Sequence, residues 1–334
     1  MNWLTNFIRP KIRSIVEPKE VPDNLWQKCP SCEGMLFHRD LAENMNVCSH
    51  CGHHLKISVF ERLDIMFDDA KYKKVSLPSV SHDPLKFKDR KRYADRLRDT
   101  RQKTGRDDAI FVASGKMNGL STVIAAFDFS FMGGSMGAAV GEGLVTAAEA
   151  AVKENAALIV IPASGGARMQ EGLISLVQMP RSIVAVEKVK NAGLPYIVLL
   201  TDPTTGGVSA SFAMVGDIHI AEPGCMIGFA GKRVIQETIR EELPDDFQTA
   251  EYLVDHGMVD MVVPREEMKD TIGQILDLLM TPERKMTTKN GGKGKKGGAL
   301  SSKNAGRAAS SKDTKAANSN LAQQAAAAKK AASK

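Results

Sequence analysis

The sequence predicts an α/β protein in which helices cover a largely parallel sheet, preceded by a small metal-binding module. From Ala109 onward, short apolar runs alternate with longer segments of helical periodicity, and this alternation is typical of βαβ units. Two Cys-x2-Cys pairs stand before that region. The chain has 334 residues, which is enough for one large domain with a small module beside it.

The predicted strands and helices follow one another in a regular order. Asn118-Gly119 is expected to join two strands, because this dipeptide favours the tight turn of a β-hairpin. Gly193 ends the longest predicted helix. We expect strands in IFVASGKM and STVIAAFDF, a helix in GAAVGEGLVTAAEAAVKEN, a strand in ALIVIPA, a helix in MQEGLISLVQMPRSIVAVEKVKNAG, a strand in PYIVLLTD, a helix in VSASFAMVG and a strand in DIHIAE.

Composition divides the chain into four predicted parts. We expect a short lead at 1–24, a zinc ribbon at 25–56, the main domain at 57–284 and a tail at 285–334. The tail carries twelve basic residues and one acid, with hardly a large apolar side chain. It cannot bury enough surface to offset its ordering entropy, so disorder is predicted. The formal charge of +6 belongs to this tail, because the rest of the chain is mildly acidic.

The sequence also indicates where the protein works. No stretch approaches the roughly 20 consecutive apolar residues that a membrane-spanning helix needs. The N-terminus lacks the apolar core and small-residue cleavage site of a signal peptide. We therefore predict a cytoplasmic protein, where paired cysteines indicate metal binding rather than disulfides.

The strongest single motif is a four-cysteine zinc site. Cys29, Cys32, Cys48 and Cys51 have the spacing C-x2-C-x15-C-x2-C, which is typical of two turns that clamp one Zn²⁺ tetrahedrally. Four thiolates close the coordination shell, so the predicted ion is structural. A redox Cys-x2-Cys pair is the alternative. Four nearby histidines are predicted to lie outside the shell: His38, His50, His53 and His54.

Two predicted strands end at paired glycines, Gly165-Gly166 and Gly206-Gly207. A strand that stops at two glycines and restarts as a helix presents free N–H groups and the positive end of a helix dipole. The missing Cβ lets a substrate oxygen approach the backbone, so these loops predict an oxyanion hole. The alternative is that the glycines only make tight turns. Neither loop contains the G-x-S-x-G nucleophile motif, which argues against a hydrolase.

These residues resemble a known family, the carboxyltransferase beta subunits of multi-subunit acetyl-CoA carboxylase. The resemblance covers about residues 25 to 280 and leaves out the basic tail. It rests on the ribbon CPSC...CSHCGHH and on the phrases FDFSFMGGSMG, SGGARMQEG, DPTTGGVSASFAMVGDIHIAEPGCMIGFAG and RVIQETI.

The resemblance implies a crotonase-like fold, a ββα superhelix, and transfer of a carboxyl group from carboxybiotin to acetyl-CoA to form malonyl-CoA. It implies that Gly206 and Gly207 hold the oxyanion of the enolised thioester. The catalytic loop at Gly165 and Gly166 would shape the neighbouring pocket, with Ser164 and Arg168 as the binding residues beside it. No protein base is required, because a biotin nitrogen can accept the proton.

The resemblance also implies partners. An alpha subunit would supply the complementary oxyanion hole in an α2β2 assembly, while the biotin carboxyl carrier protein and biotin carboxylase would be separate chains. The sequence agrees, since it contains no credible biotin-attachment site; Lys116 in SGKMNG lies in a predicted hairpin.

Two other functions remain open on the sequence. A zinc-ribbon protein that binds nucleic acid would explain the ribbon and the tail, and ribbon binding could also be a secondary activity. A stand-alone enoyl-CoA hydratase would use Glu171 as its acid or base, although Glu171 is more simply an exposed residue in the first turn of a helix. Cys225 is predicted to be a small core residue.

The dense basic stretch from Lys86 to Arg106 has two possible meanings. It is predicted to be helical, and a solvated charged face is the simpler interpretation. The hypothesis of interest is that residues such as Arg98 and Arg101 contact the phosphates of coenzyme A, because the chain outside the tail is otherwise acidic.

Overall fold

The computed structural model describes residues 25–281, except the side chain of Arg233. The predicted lead and basic tail lie outside the described residues. The ribbon consists of an antiparallel pair, β1 (Trp26–Lys28) and β2 (Met35–Phe37), followed by helix α1 (His38–Glu43). Its small core packs three leucines, at 36, 41 and 55, against two of the cysteines.

The main domain is organised around a seven-stranded sheet with the order β11-β9-β7-β6-β5-β4-β3. Strands β5 to β11 of this sheet run parallel, and β3, β4 and β5 pair antiparallel. The bounds are β3 Tyr72–Lys74, β4 Ile110–Met117, β5 Leu120–Phe127, β6 Ala157–Ile161, β7 Tyr196–Leu200, β9 Ile218–Ala221 and β11 Met261–Val262. A separate parallel pair joins β8 (Thr204–Thr205) to β10 (Ile227–Gly228).

Helices cover both faces of the sheet. They are α2 Val59–Met66, α3 Tyr93–Thr104, α4 Ala138–Glu154, α5 Leu173–Asn191, α6 Lys232–Ile239, α7 Ala250–Asp255 and α8 Arg265–Met280. Buried residues of α3, α4 and α5 pack on one face, and those of α2 and α8 pack on the other. All five residues of β6 are buried, as expected for a parallel strand covered on both sides.

The predicted hairpin is confirmed. Met117 pairs with Leu120, and both turn residues have positive φ, 49° at Asn118 and 79° at Gly119. Two positive φ angles are what the common two-residue hairpin turn requires. The two residue types in the turn are therefore sufficient to predict the position of this hairpin.

The helix predicted directly after Gly206-Gly207 is wrong. The chain there forms irregular turns and only a three-residue 3₁₀ helix at Phe212–Met214. The Ser209 hydroxyl donates to the carbonyl of Gly206, and the Ser211 hydroxyl donates to that of Gly207. Serine side chains compete in this way with helical hydrogen bonds. The free N–H groups at this turn therefore belong to no helix end.

The other predicted helices need smaller changes. The helix predicted from Met169 begins as a 3₁₀ turn, and α5 starts only after Gly172, whose φ is 51°. The basic stretch is helical from Tyr93 rather than from Lys86.

Candidate active site and zinc site

The four ribbon cysteines converge on one point. The Sγ atoms of Cys29 and Cys51 are 3.8 Å apart, as are those of Cys32 and Cys48. All four sulfurs lie within 4.8 Å of one another. Zn–S bonds of about 2.3 Å place the sulfurs of a tetrahedral site about 3.8 Å apart. The arrangement fits one structural Zn²⁺, held by four thiolates with no open coordination position.

Both Cys-x2-Cys turns have the same backbone geometry. The N–H of Glu33 donates to the carbonyl of Cys29, and the N–H of Gly52 donates to that of Cys48. Glu33 and Gly52 both have positive φ, 62° and 73°. The N–H of Cys32 points at the Cys29 sulfur and lowers the pKa of that thiol to about 6. The turn therefore favours the thiolate form of Cys29.

Three backbone loops meet at the candidate active site. A Cβ on Gly166 would lie 3.2 Å from the Cα of Gly206, and a Cβ on Gly134 would overlap the carbonyl oxygen of Ala163. Gly166 and Gly206 have φ angles of 108° and 62°. Gly166 and Gly206, one glycine of each pair, thus have the structural role that the sequence left as an alternative, because only glycine permits this approach.

The hydrogen bonds distinguish the four predicted glycines. The N–H of Gly165 donates to Gly133 O at 2.9 Å, and that of Gly206 donates to Phe229 O at 2.9 Å. The N–H of Gly166 donates to Ser164 Oγ at 3.0 Å. Within residues 25–281, the N–H of Gly207 donates to no partner. The geometry thus revises the predicted role of Gly206, whose N–H is already used, and favours Gly207 as the donor to a substrate.

Val208, the next residue, also has an unpaired backbone N–H, which donates to no partner in the part of the chain that the structure describes. Two consecutive unpaired N–H groups at a turn form a concave site for negative charge. The turn at 207–208 is therefore one place in the glycine loops where an oxyanion can be bound.

Ser164 and Arg168, the predicted binding residues, are buried beneath these loops. Ser164 is fully buried, with its N–H donating to Pro203 O at 2.6 Å. The Arg168 guanidinium, 1% exposed, donates to both carboxylate oxygens of Asp108, to Ser135 and to Tyr93. Burial by itself lowers the pKa of Arg168, but the Asp108 carboxylate raises it above the usual value. In this geometry both residues make hydrogen bonds that hold the loops together, and their binding role remains a prediction.

Glu171 is buried, so the expectation of an exposed helix residue is wrong. One carboxylate oxygen accepts the Tyr93 hydroxyl at 2.6 Å, and the other accepts the N–H of Ala138 at 2.6 Å. Burial raises the pKa of Tyr93 above its usual value. The carboxylate lies at the positive end of α4. There it links this helix to residues 164–168, which we call the SGGAR loop.

The basic stretch is largely paired with its own acids. Arg96 bonds Asp89 at 2.7 Å, and Arg98 pairs with Asp95 at 3.2 Å. Arg101 instead donates to Asp107 O at 2.9 Å. It lines a cleft of about 720 Å³ together with three further basic side chains, Lys74, His82 and Arg106. Of the arginines in this stretch, Arg101 is therefore the one that we expect to contact the phosphates of coenzyme A.

Cys225 is confirmed as a core residue, with 2% exposure. Burial raises the pKa of its thiol well above the ordinary value, so it stays protonated and unreactive. Sequence reasoning did not single out Tyr93, Asp108 or Phe229. Their contacts to the glycine loops join segments far apart in the chain, and no local motif marks them.

The described helices include none that is long and apolar enough to cross a membrane.

Comparisons with known proteins identify two families that match this chain. Residues 80–268 match the carboxyl transferase domain family, and residues 26–51 match the acetyl-CoA carboxylase zinc finger domain family. The chain is 58% identical over 279 residues to an acetyl-coenzyme A carboxylase carboxyl transferase subunit beta from Granulibacter bethesdensis, covering 84% of this chain and 91% of the relative. The subunit of that name from Sinorhizobium medicae is 55% identical over 280 residues, covering 84% and 92%.

Solved structures show the same fold. Transcarboxylase 12S, crystallised with methylmalonyl-coenzyme A, superposes with a TM-score of 0.55 and 24% identity, covering 66% of this chain and 41% of that one. A malonate decarboxylase hetero-dimer from Pseudomonas gives a TM-score of 0.52 and 18% identity, covering 68% and 90%.

The fold and the two family matches define a carboxyl transferase of the crotonase-like α/β class that carries an N-terminal zinc ribbon. It is an enzyme component of biotin-dependent carboxylation. The chain belongs to the family of acetyl-CoA carboxylase carboxyl transferase beta subunits.

Proposed function

We propose that this chain holds the acyl thioester during transfer of a carboxyl group from carboxybiotin to acetyl-CoA, the first committed step of fatty acid biosynthesis. The observation that carries the proposal is the unpaired N–H of Gly207, at a turn where neighbouring backbones approach without Cβ atoms. In this proposal residues 25–56 form the ribbon and 57–284 form the transferase domain. The reaction takes place in the cytoplasm, where the ribbon thiols stay reduced.

The reaction needs negative charge to be stabilised on one oxygen. As the acetyl methyl group loses a proton, charge develops on the thioester oxygen, and the N–H groups of Gly207 and Val208 donate to it. The N–CO2 bond of carboxybiotin breaks and the freed ureido nitrogen accepts that proton. The enolate carbon then forms a C–C bond to the released CO2, giving malonyl-CoA. The zinc ion takes no part in these steps, since four thiolates fill its coordination shell.

The geometry argues against the two other functions. Both oxygens of Glu171 are occupied by Tyr93 and Ala138, so a hydratase acid or base is not available there. The ribbon at 25–56 contains three basic and three acidic residues. A neutral surface lacks the positive charge that supplies most non-specific affinity for nucleic acid, so ribbon binding of RNA or DNA is the weaker proposal.

The outer face of α5 supports a protein partner. One side of this helix is buried, and its outer side carries exposed apolar residues, which we call the exposed stripe. The exposed stripe consists of Leu173, Leu176, Val177, Ile183 and Val184. A groove of about 440 Å³ runs along it towards α4. An exposed apolar stripe of this kind is typical of a helix that another helix covers.

We assign the alpha subunit to this face. The SGGAR loop leads directly into α5, and Met179 of α5 lies beside Gly207, 3.2 Å from where a Cβ on Gly207 would be. An alpha subunit packed on the stripe would therefore lie beside the turn at Gly207 and Val208. It would contribute the second oxyanion hole of the active site. The proposed assembly is α2β2, visited by the biotin carboxyl carrier protein, which biotin carboxylase loads.

One assay tests the reaction. Carboxyl transfer from malonyl-CoA to biocytin is measured on this chain alone and then with the matching alpha subunit. We expect activity only in the mixture, because each chain contributes one oxyanion hole. If the mixture is inactive while zinc is bound and the two chains co-purify, the proposed function is wrong.

A second experiment tests the partner surface. Leu176→Glu places a charge in the exposed stripe of α5 and should abolish co-purification with the alpha subunit. Leu278→Glu is the matched control, because Leu278 is 81% exposed on α8, away from the stripe. Equal co-purification of both variants would show that the alpha subunit binds elsewhere.

A further inference from the structure

Arg265 connects the zinc ribbon to the transferase domain. It is the first residue of α8 and is only 2% exposed. Its guanidinium donates to Glu222 Oε1 at 2.7 Å and Oε2 at 3.0 Å. The same group donates to the carbonyl oxygens of Met45 at 2.6 Å and Leu55 at 3.0 Å in the ribbon. One buried side chain thus bridges two parts of the chain that the sequence separates into domains.

The hydrogen bonding at this bridge is incomplete without the ribbon. Arg62 also bonds Glu222, at 3.1 Å, so two guanidinium groups share one buried carboxylate. Burial opposes ionisation of Glu222, but the two arginines hold the pKa of its carboxyl far below the usual value. The remaining positive charge faces the ribbon carbonyls. Removing those carbonyls would leave buried N–H groups and charge uncompensated, which is strongly unfavourable.

The positions of these carbonyls depend on the second zinc-binding turn. Met45 has a φ of 51°, and the N–H of Leu55 donates to Asn46 O at 2.9 Å. These contacts bracket the turn that begins at Cys48, whose N–H donates to His53 O. The next residue, His54, accepts the backbone N–H of Arg265 through Nε2 at 3.1 Å. Loss of the metal would therefore release both carbonyls and the imidazole from Arg265.

On the other side, Glu222 lies where the active-site turn begins. Its N–H donates to Leu200 O at 3.1 Å at the end of β7. The chain continues from β7 to Asp202, whose carboxylate accepts the N–H of Met226 at 3.2 Å. The carbonyl of Met226 in turn accepts the N–H of Thr204 at 2.9 Å, three residues before Gly207. The path from Arg265 to the turn at Gly207 is thus a short series of side-chain and backbone hydrogen bonds.

We propose that Arg265 is a positioning residue that couples the zinc ribbon to the strand ends carrying the Gly207 turn. Zinc binding and the order of that turn are then linked, and each stabilises the other. The ribbon is an integral part of the transferase unit, in keeping with the single compact unit that both belong to. Only the consequence for catalysis rests on the proposed function.

The test uses the full-length protein and two measurements that need no activity. The first is the rate at which a colorimetric chelator removes zinc, and the second is amide hydrogen exchange at 202–208 and 44–55. Arg265→Lys keeps the charge beside Glu222 but lacks the planar fork that reaches both carbonyls. We expect zinc to dissociate about 10-fold faster from this variant, with faster exchange in both segments. The control is Arg39→Gln, an exposed ribbon arginine paired only with Glu43.

A reciprocal measurement covers the case in which Arg265 variants fail to fold. Zinc is removed from the unaltered protein, and exchange is followed at 202–208. If the ribbon and the turn are coupled, the amides at 202–208 should exchange about 10-fold faster in the zinc-free protein than in the zinc-loaded protein. Unchanged exchange at 202–208 after complete zinc removal would overturn the proposal, whatever the carboxyl-transfer assay gives. Wild-type zinc release from a folded Arg265→Lys protein would also overturn it.

Discussion

The N–H of Gly206 donates to the carbonyl oxygen of Phe229 at 2.9 Å, while the N–H of Gly207 beside it donates to no residue among those described. Two neighbouring glycines thus have different roles. Gly206, with a φ of 62°, is required for the turn itself. Gly207 has no positive φ, and a Cβ there would meet only the side chains of Met179, Ala167 and Met136.

The two glycines should therefore respond differently to alanine. In Gly206→Ala the new Cβ meets backbone, with Gly166 Cα 3.1 Å away, so we expect a loss of stability of about 1 to 3 kcal/mol. In Gly207→Ala the Cβ meets the flexible Met179 side chain, so the melting temperature should change little. The variant keeps its N–H, but the Cβ displaces Met179 and shifts this donor, so its kcat in the carboxyl-transfer assay should fall about 100-fold.

Thermal unfolding and steady-state kinetics separate these outcomes. Gly231→Ala is the control, because no atom lies within 4 Å of its Cβ position and its φ is −65°. Full activity in a folded Gly207→Ala protein would contradict the role given to this turn.

Zinc content provides a second prediction. Cys48→Ser removes one buried ligand and should reduce the zinc content from one ion per chain to near zero, with unfolding of the ribbon. Cys225→Ser removes a cysteine in the core of the main domain and should retain the ion. Elemental analysis of both proteins measures this, and zinc retained in the first variant would exclude the four-cysteine site.

Removal of the Arg168 side chain should unfold the loop rather than weaken ligand binding alone. Arg168→Ala leaves the buried carboxylates of Asp108 and Glu171 unpaired, which costs about 3 to 5 kcal/mol. Urea denaturation measures the loss. Arg98→Ala is the control, because Arg98 is 72% exposed and its ion pair with Asp95 contributes little. A small stability change in Arg168→Ala, with weakened acetyl-CoA binding, would restore the predicted binding role.

Protonation of His219 should make the free energy of unfolding depend on pH. Burial lowers the pKa of His219, against the opposing effect of Asp260, and its Nε2 accepts the N–H of Gly216 at 3.0 Å. The folded protein favours the neutral ring, so this stabilisation is present above the unfolded pKa of about 6.5 and is lost as the pH falls. The free energy of unfolding should therefore decrease from pH 7 to pH 5, and less so in His219→Gln. Identical pH profiles for the two proteins would exclude this contribution.

The coenzyme A hypothesis is tested at the cleft that Arg101 lines. Arg101→Gln should raise the KM for malonyl-CoA several-fold, with a larger effect at low ionic strength, because exposed charge contacts are screened by salt. Arg96→Gln is the control, since Arg96 is paired with Asp89 and does not line the cleft. An unchanged KM in Arg101→Gln would show that the basic stretch is a solvated surface.

Local chemistry was sufficient to predict much of the molecule. The zinc ligands follow from the spacing of four cysteines, and the hairpin follows from Asn118-Gly119. The buried strands β6 and β7 follow from unbroken apolar runs. Each of these features depends on residues close together in the sequence, where stereochemistry and side-chain type limit the outcome.

The active site depended on contacts that no local pattern contains. The sequence by itself placed glycines at two strand ends, but which N–H stays free is decided by Phe229, more than twenty residues beyond Gly206. Burial of Glu171 is likewise decided by Tyr93 and Ala138 from other elements, and the ribbon is attached by Arg265. Hydrogen-bond partners and burial are properties of the packed chain, so only the tertiary structure could show which N–H is left without a partner among the described residues and how Arg265 joins the ribbon to the main domain.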